Sequence, residues 1–156
     1  MNAVVRDYQE SDWNEVEQMI LNAENFGVTF LEHEKLRIDV FAHFPTYGRV
    51  LIAFDSENMK VVGYAAVQFE WKALVINSMI THHEYLRMGI GHLMMKRIME
   101  IGQKQPIIDV IRVDTGDFME YAQKFYLSCG FERAGHVPHY LSWNNHQVVF
   151  VYHVQK

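Results

Sequence analysis

Two apolar segments, "ALVINSMIT" at 73–81 and "IIDVIRVDT" at 107–115, flank a stretch of helical periodicity over 89–101. In that stretch Ile90, Leu93, Met94, Ile98 and Ile101 recur at i, i+3, i+4 spacing, the stripe of a helix with one buried face. A strand, a helix and a second strand in this order form a crossover unit whose strands lie parallel. The unit fixes the centre of a sheet, and the other elements have to be placed around it. Glycines at 89 and 91, with Arg87 just before them, stand where the first strand hands over to the helix. Backbone N–H groups at such a junction are unpaired and sit at the positive end of the helix dipole, which suits phosphate or pyrophosphate; the glycines by themselves are equally readable as a plain tight turn that needs φ > 0.

Before the crossover, "NAVVRDY" reads as a strand, and "SDWNEVEQMILNA" as a helix with Trp13, Val16, Ile20 and Ala23 on one face. Asp12 with Glu15, and Thr29 with Glu32 ahead of "GVTFLEHEKLRIDVFAHF", have the spacing of capping boxes. "GRVLIAF", the polar turn "DSENMK", "VVGYAAVQFEW" and "ALVINSMIT" form an antiparallel meander. Gly102 and Pro106 are expected to end the crossover helix. Asp117 and Glu120 are expected to cap the next one, whose face carries Phe118, Ala122, Phe125, Tyr126 and Cys129 before Gly130. "ERAGHV" and "HQVVFVYHV" close the chain as two strands. The order β-α-α-β-β-β-α-β-α-β-β predicts an α/β or α+β protein: a mixed, mostly antiparallel central sheet of about seven strands with helices on both faces.

A chain of 156 residues with 49% hydrophobic and 21% charged residues suits one compact domain over 1–156. The net charge of -5 and the lack of a basic block argue against a nucleic-acid partner. The apolar runs are too short to span a bilayer, so no membrane partner is expected. One cysteine, Cys129, excludes an internal disulfide and fits a reducing cytoplasm. Two common nucleotide loops are ruled out. The dinucleotide pattern needs a third glycine where Met94 stands, and no Gly-Lys-Ser/Thr follows the loop.

"YLRMGIGHLMMKRI" resembles the acetyl-CoA signature of the GNAT N-acetyltransferases, and "AQKFYLSCGFERAG" resembles the later helix motif of that family. The element order resembles the GNAT fold along the whole chain. The resemblance implies an acyltransferase that moves acetyl from acetyl-CoA to a primary amine, on a small molecule or a peptide, by direct transfer. The alternative is a non-catalytic acyl-CoA-binding or sensing module. It implies that Met79, Ile80 and Thr81 pair with the pantetheine arm, and that Arg87, Met88, Gly89, Ile90, Gly91 and His92 surround the pyrophosphate. It also implies that Tyr126 protonates the departing thiolate. The oligomeric state stays open between monomer and homodimer, with the apolar "VVFVYHV" as a candidate dimer surface. The chain departs from the family pattern at Leu86 (usually Gln or Arg), Met119 (usually Asn) and Val75 (a glutamate base in some members).

Acetyl transfer needs a neutral amine, and an alkyl ammonium has a pKa of about 10.4, so a base is required. Asp114, at the end of the fifth strand, is the candidate, with His82, His83 and water as open alternatives. His82 and His83 are also readable as a solvated turn pair. Adjacent residues of an extended segment point to opposite faces, so no metal site is expected. Phe26, Phe30, Tyr47, His139, Tyr140 and Trp143 are candidates to line an acceptor slot, and equally readable as core and rim.

Overall fold

The computed structural model describes all residues except 24–27 and 143–144, with backbone alone at 28–29 and 141–142. The elements are β1 (Ala3–Asp7), α1 (Trp13–Asn22), α2 (Val28–His43), β2 (Gly48–Asp55), β3 (Lys60–Glu70), β4 (Ala73–Thr81), α3 (Ile90–Lys104), β5 (Val110–Gly116), α4 (Glu120–Ser128), β6 (Glu132–Ser142) and β7 (Asn145–His153). Short 3-10 turns lie at Glu10–Asp12 and His83–Tyr85. The seven strands form one sheet in the order β1-β2-β3-β4-β5-β7-β6. As the crossover requires, β4 and β5 are parallel, with Ala73 opposite Val110 and Ile76 opposite Val113. The β1–β2, β2–β3, β5–β7 and β6–β7 pairs are antiparallel. Among the described residues, no helix is long and apolar enough to cross a membrane.

The chain divides into two compact units, Met1–Gln68 with Ser78–Ile98, and Phe69–Asn77 with Met99–Lys156. In the first, Val16, Met19 and Ile20 of α1 and Ile38 and Phe41 of α2 pack with Val50, Ile52, Val61, Tyr64 and Ile80. Burying each of these aliphatic side chains stabilises the fold by about 1.5–3 kcal/mol. The expected α1 face is the observed one, with Trp13 and Ala23 packed at its margin. The expected Asp12–Glu15 box is not formed. The Asp12 carboxylate accepts from the Gln9 N–H (2.7 Å) and from both Arg6 amino groups (2.8 Å each), one turn earlier. Glu15 instead accepts from the Val61 N–H at 2.9 Å, tying α1 to β3. The side chain of Thr29 lies outside the described residues.

A buried carboxylate closes the end of β2. Asp55 accepts from Asn58 Nδ2 (2.6 Å), the Asn2 N–H (3.0 Å) and the Glu57 N–H (3.1 Å). These bonds, the Asn58 one first, bring its pKa from 3.8 to about 2. A second buried carboxylate, Glu34 of α2, has no exposure. It accepts from the Tyr64 hydroxyl of β3, from Ser78 Oγ of β4 (2.6 Å) and from Arg37 Nη1.

In the second unit β7 is hydrogen-bonded on both sides, to β5 and β6, so the free sheet edge is β6. The helix α3 runs through Gly102 to Lys104 rather than stopping at the glycine. A Cβ at Gly102 would meet Ile111 and Val154 at 3.5 Å, so the position serves packing against β5. Asp117 does not cap α4, which starts at Glu120; its Oδ1 accepts from the His146 N–H at 3.3 Å. The other end is as expected. Gly130 has φ 91, its N–H reaches Leu127 C=O (3.1 Å), and the Phe131 N–H reaches Tyr126 C=O (3.1 Å). This is a Schellman stop, which needs glycine at the left-handed residue.

Two stability measurements test these carboxylates. The folded pKa of Asp55 lies below its unfolded value, so its contribution is full above pH 3.8 and fades toward about 2. Across that window the Tm of the wild type should drop more steeply than that of Asp55→Asn, and parallel curves would remove the assignment. Glu34→Ala leaves a cation and two hydroxyls without their acceptor, so urea unfolding should show a loss of about 3–5 kcal/mol. A change below about 1 kcal/mol would mean that the network does not hold α2 in place.

Candidate active site

The end of β4 and the start of α3 lie in the first unit. In β4, Ser78 and Ile80 are buried, while Met79 and Thr81 on the alternate face are partly exposed. The chain then turns. The His82 N–H bonds to Val62 C=O (2.9 Å), and the Tyr85 N–H to His82 C=O (2.8 Å). Arg87 takes a left-handed φ of 61, and Gly89 a φ of 86. A left-handed arginine is strained, whereas glycine adopts such a φ freely. The first bond of the α3 ladder runs from the Leu93 N–H to Gly89 C=O at 3.0 Å. The N–H groups of the opening turn, at Gly89, Ile90 and Gly91, therefore precede the ladder at a helix N-terminus. A Cβ at Gly89 would meet no atom within 4 Å. The space on that side of Gly89 is open. Leu86, Arg87 and Met88 are exposed beside it, and the Ile90 side chain is buried as the anchor.

Next to the loop, the structure overturns one geometric expectation. His82 and His83 do not point apart: their rings stack at 4.5 Å with 21° between planes, because the chain enters a 3-10 turn here. Their donor atoms and the Glu84 carboxylate all lie within 4.8 Å of one another, a set with metal-ligand chemistry that the assumption of an extended segment hid. Both acidic and imidazole members already have partners. Glu84 is paired with Lys60 at 2.8 Å, and His82 Nδ1 accepts from the Glu84 N–H at 3.2 Å. Burial first, and then the Lys60 charge, lower the His82 pKa.

The second unit holds Tyr126 and Asp114. Tyr126 is 7% exposed, among the rings of Phe125, Phe131 and Phe150 at centroid distances of 5.4, 5.8 and 6.0 Å. Burial pushes its hydroxyl well above the usual phenol range, so it stays protonated. Asp114 is gripped by Arg112 of the same strand face, Nε to Oδ1 at 2.9 Å and Nη2 to Oδ2 at 2.8 Å. Gln147 Nε2 adds a third donor at 2.9 Å.

A groove of about 530 Å³ runs along α2, walled by Leu36, Val40, Phe41 and Tyr47, with His33, Arg37 and Gln68 as its polar lining. Of the candidates for an acceptor slot, Tyr47 lines this groove, whereas Phe30 packs against the core. His139 and Tyr140 are exposed on β6, and Phe26 and Trp143 lie outside the described residues. The sequence reading passed over Glu34 and Arg37. The signal was present: Phe30, Glu34, Ile38 and Phe41 follow the i, i+4 and i+3 spacing of one buried stripe, so the glutamate stands at a core position.

The comparisons agree with one another. The Acetyltransferase (GNAT) family profile matches residues 11–131. No curated protein matches the chain. A GNAT-family protein from Desulfovibrio desulfuricans superposes with a TM-score of 0.87 at 11% identity, covering 98% of this chain and 99% of that one. The ribosomal-protein-S18-alanine N-acetyltransferase of Escherichia coli gives 0.82 at 11% identity over 99% and 95%. The Salmonella typhimurium yncA protein, solved with its cofactor acetyl-CoA, gives 0.78 at 13% identity over 100% and 96%. With the two motifs on the elements they require and the family profile over most of its length, the chain belongs to the GNAT acetyltransferase family.

Proposed function

We propose that the protein is an acetyl-CoA-dependent N-acetyltransferase that moves acetyl directly to an amine nitrogen. The observation that carries this is the Gly89 junction. Left-handed glycine, open space before it and the unladdered N–H groups of the first α3 turn suit a pyrophosphate. Arg87 adds a permanent cation beside it. A neighbour of the same fold carries acetyl-CoA, which supports the choice of cofactor. Met79, Ile80 and Thr81, at the end of the strand that leads into the loop, take the pantetheine arm. Met88, Ile90, Gly91 and His92 complete the loop around the phosphates.

In the reaction the amine nitrogen attacks the thioester carbonyl carbon. The C–N bond forms, the tetrahedral intermediate collapses with loss of the C–S bond, and the nitrogen gives up a proton. Tyr126 is assigned to the departing sulfur. Its phenol is held protonated by burial, the form a hydrogen-bond donor needs. A phenol with a raised pKa is a weaker acid than a thiol, so its main work is to hold the thiolate charge through a hydrogen bond. Asp114 is assigned as base, acting through water, since both its oxygens are engaged by Arg112 and Gln147. Of the alternatives, His82 is the imidazole whose lowered pKa leaves it neutral, and so able to accept a proton, at pH 7.

Binding and chemistry are separable by experiment. At about 100 times its Kd, acetyl-CoA should add about 2.7 kcal/mol of apparent stability, and CoA should do the same while ATP and NADH should not. Absence of any shift at millimolar acetyl-CoA would end the cofactor reading. Binding without turnover on a broad amine panel would make the protein a sensor rather than an enzyme. Tyr126→Phe keeps the ring packing and should lower kcat by about 100-fold with little change in the acetyl-CoA KM. The acidic limb of kcat/KM identifies the base. Loss of that limb in Asp114→Asn supports Asp114, and loss in His82→Gln transfers the role to the histidine.

A further inference from the structure

The polar end of the α2 groove is built around one guanidinium. Glu34, wholly buried, fixes Arg37 from behind through Nη1, and Ser78 Oγ accepts from the same nitrogen at 3.2 Å. The other edge of the guanidinium, Nε with Nη2, has no partner among the described residues, and the side chain is 30% exposed on the groove wall. That edge is a planar fork of parallel N–H donors, which matches the two oxygens of a carboxylate. A fork held rigidly on one side has lost its rotamer freedom in advance, so little entropy is left to lose on binding.

The remaining walls narrow the ligand. Leu36, Val40, Phe41 and Tyr47 present apolar surface, and among the described residues no acidic one lines the groove. A polyamine or aminoglycoside would find no carboxylate there. Its volume of about 530 Å³ falls in the range of small-molecule sites. Glu34 cancels the Arg37 charge at long range, so selection rests on the short-range fork rather than on a broad field. The groove is tied to β4 through Arg37. Ser78, which accepts from Arg37, directly precedes residues 79–81 on β4, and that strand advances about 3.3 Å per residue. In an α-amino acid the amine and the carboxylate share one carbon, so a ligand held on Arg37 keeps its amine close to Ser78.

We propose that the acceptor is a small apolar amine with a free carboxylate, a hydrophobic amino acid in chemical class, and that Arg37, oriented by Glu34 and Ser78, is the residue that selects it. This rests on the acetyltransferase reading for its reaction, but the groove can be probed without cofactor. The probes are L-phenylalanine, L-phenylalaninamide, spermidine and an amidated peptide with an N-terminal alanine. Thermal shift without acetyl-CoA reads binding, and kcat/KM at saturating acetyl-CoA reads selection.

L-phenylalanine should bind and react at least about 10-fold better than its amide and better than the other two probes. In Arg37→Gln that preference should shrink to about 2-fold, through KM rather than kcat. Arg37→Lys keeps a cation for Glu34 and so guards against misfolding. It lacks the fork and should lose most of the preference while keeping the wild-type Tm. Equal handling of acid and amide overturns the inference, as does a better rate with spermidine or the peptide. So does retained preference in Arg37→Lys, or failure of all four probes to bind. A missing acetyl-CoA shift alongside L-phenylalanine binding would sink the acetyltransferase reading and leave the groove assignment standing.

Discussion

A carboxylate without contact to water ties three elements of the first unit together. Glu34 of α2 holds the Tyr64 hydroxyl on β3 and the Ser78 hydroxyl on β4, with Arg37 beside it. Removing a charge from water costs several kcal/mol, and only close donors on every side offset that cost. A slide of α2 by one residue would strand the charge, so the helix has one register against the strands. An apolar residue of similar shape would pack without demanding any register. The groove along α2 inherits its geometry from this bond set, because Arg37 is aimed by the acid that neutralises it.

The strand that supplies Ser78 also runs into the glycine junction. Over residues 78–89 the chain passes from a buried hydroxyl, through a 3-10 turn, to a left-handed arginine and a left-handed glycine. A left-handed non-glycine residue costs about 1–3 kcal/mol, and such strain persists where its surroundings hold it. Here the turn bonds at His82 and Tyr85 hold one side, and the buried Ile90 holds the other. The loop is therefore set before any ligand arrives, which suits recognition by backbone N–H groups, since these have no rotamers to adjust.

Much of this was legible in the sequence because period and punctuation agreed. The crossover was readable from two apolar strands around a 3.6-period stripe, and β4 ended where its alternation ended. Gly130 stopped α4 because the Schellman turn needs a left-handed residue. Gly102 failed as a stop because its φ is helical and its missing side chain makes room beside Ile111. The same letter carries two meanings that only three-dimensional packing separates. Asp12 and Asp117 had the spacing of caps, yet each found a partner from another element, Arg6 and the His146 N–H. A capping signal is local, and a guanidinium several residues away outbids it. The His82–His83 stack was missed because alternation was assumed past the end of the strand.

Glu34 was missed for a different reason. Hydrophobic periodicity ranks a glutamate as a surface residue, so the stripe was read around it rather than through it. What marks it is the position: four residues before Ile38 and seven before Phe41, both buried. An acid at a core register either destabilises the helix or has partners, and the partners must come from strands distant in sequence. Tyr64 and Ser78 met that need, each a hydroxyl within an apolar strand. Each polar oddity alone reads as tolerated noise in a hydrophobic pattern. Three of them that converge on one point, with an arginine that lines a groove, are more economically read as a device for holding that arginine than as packing. A core needs no charge to be tight, and this one keeps a charge where a ligand can meet its partner.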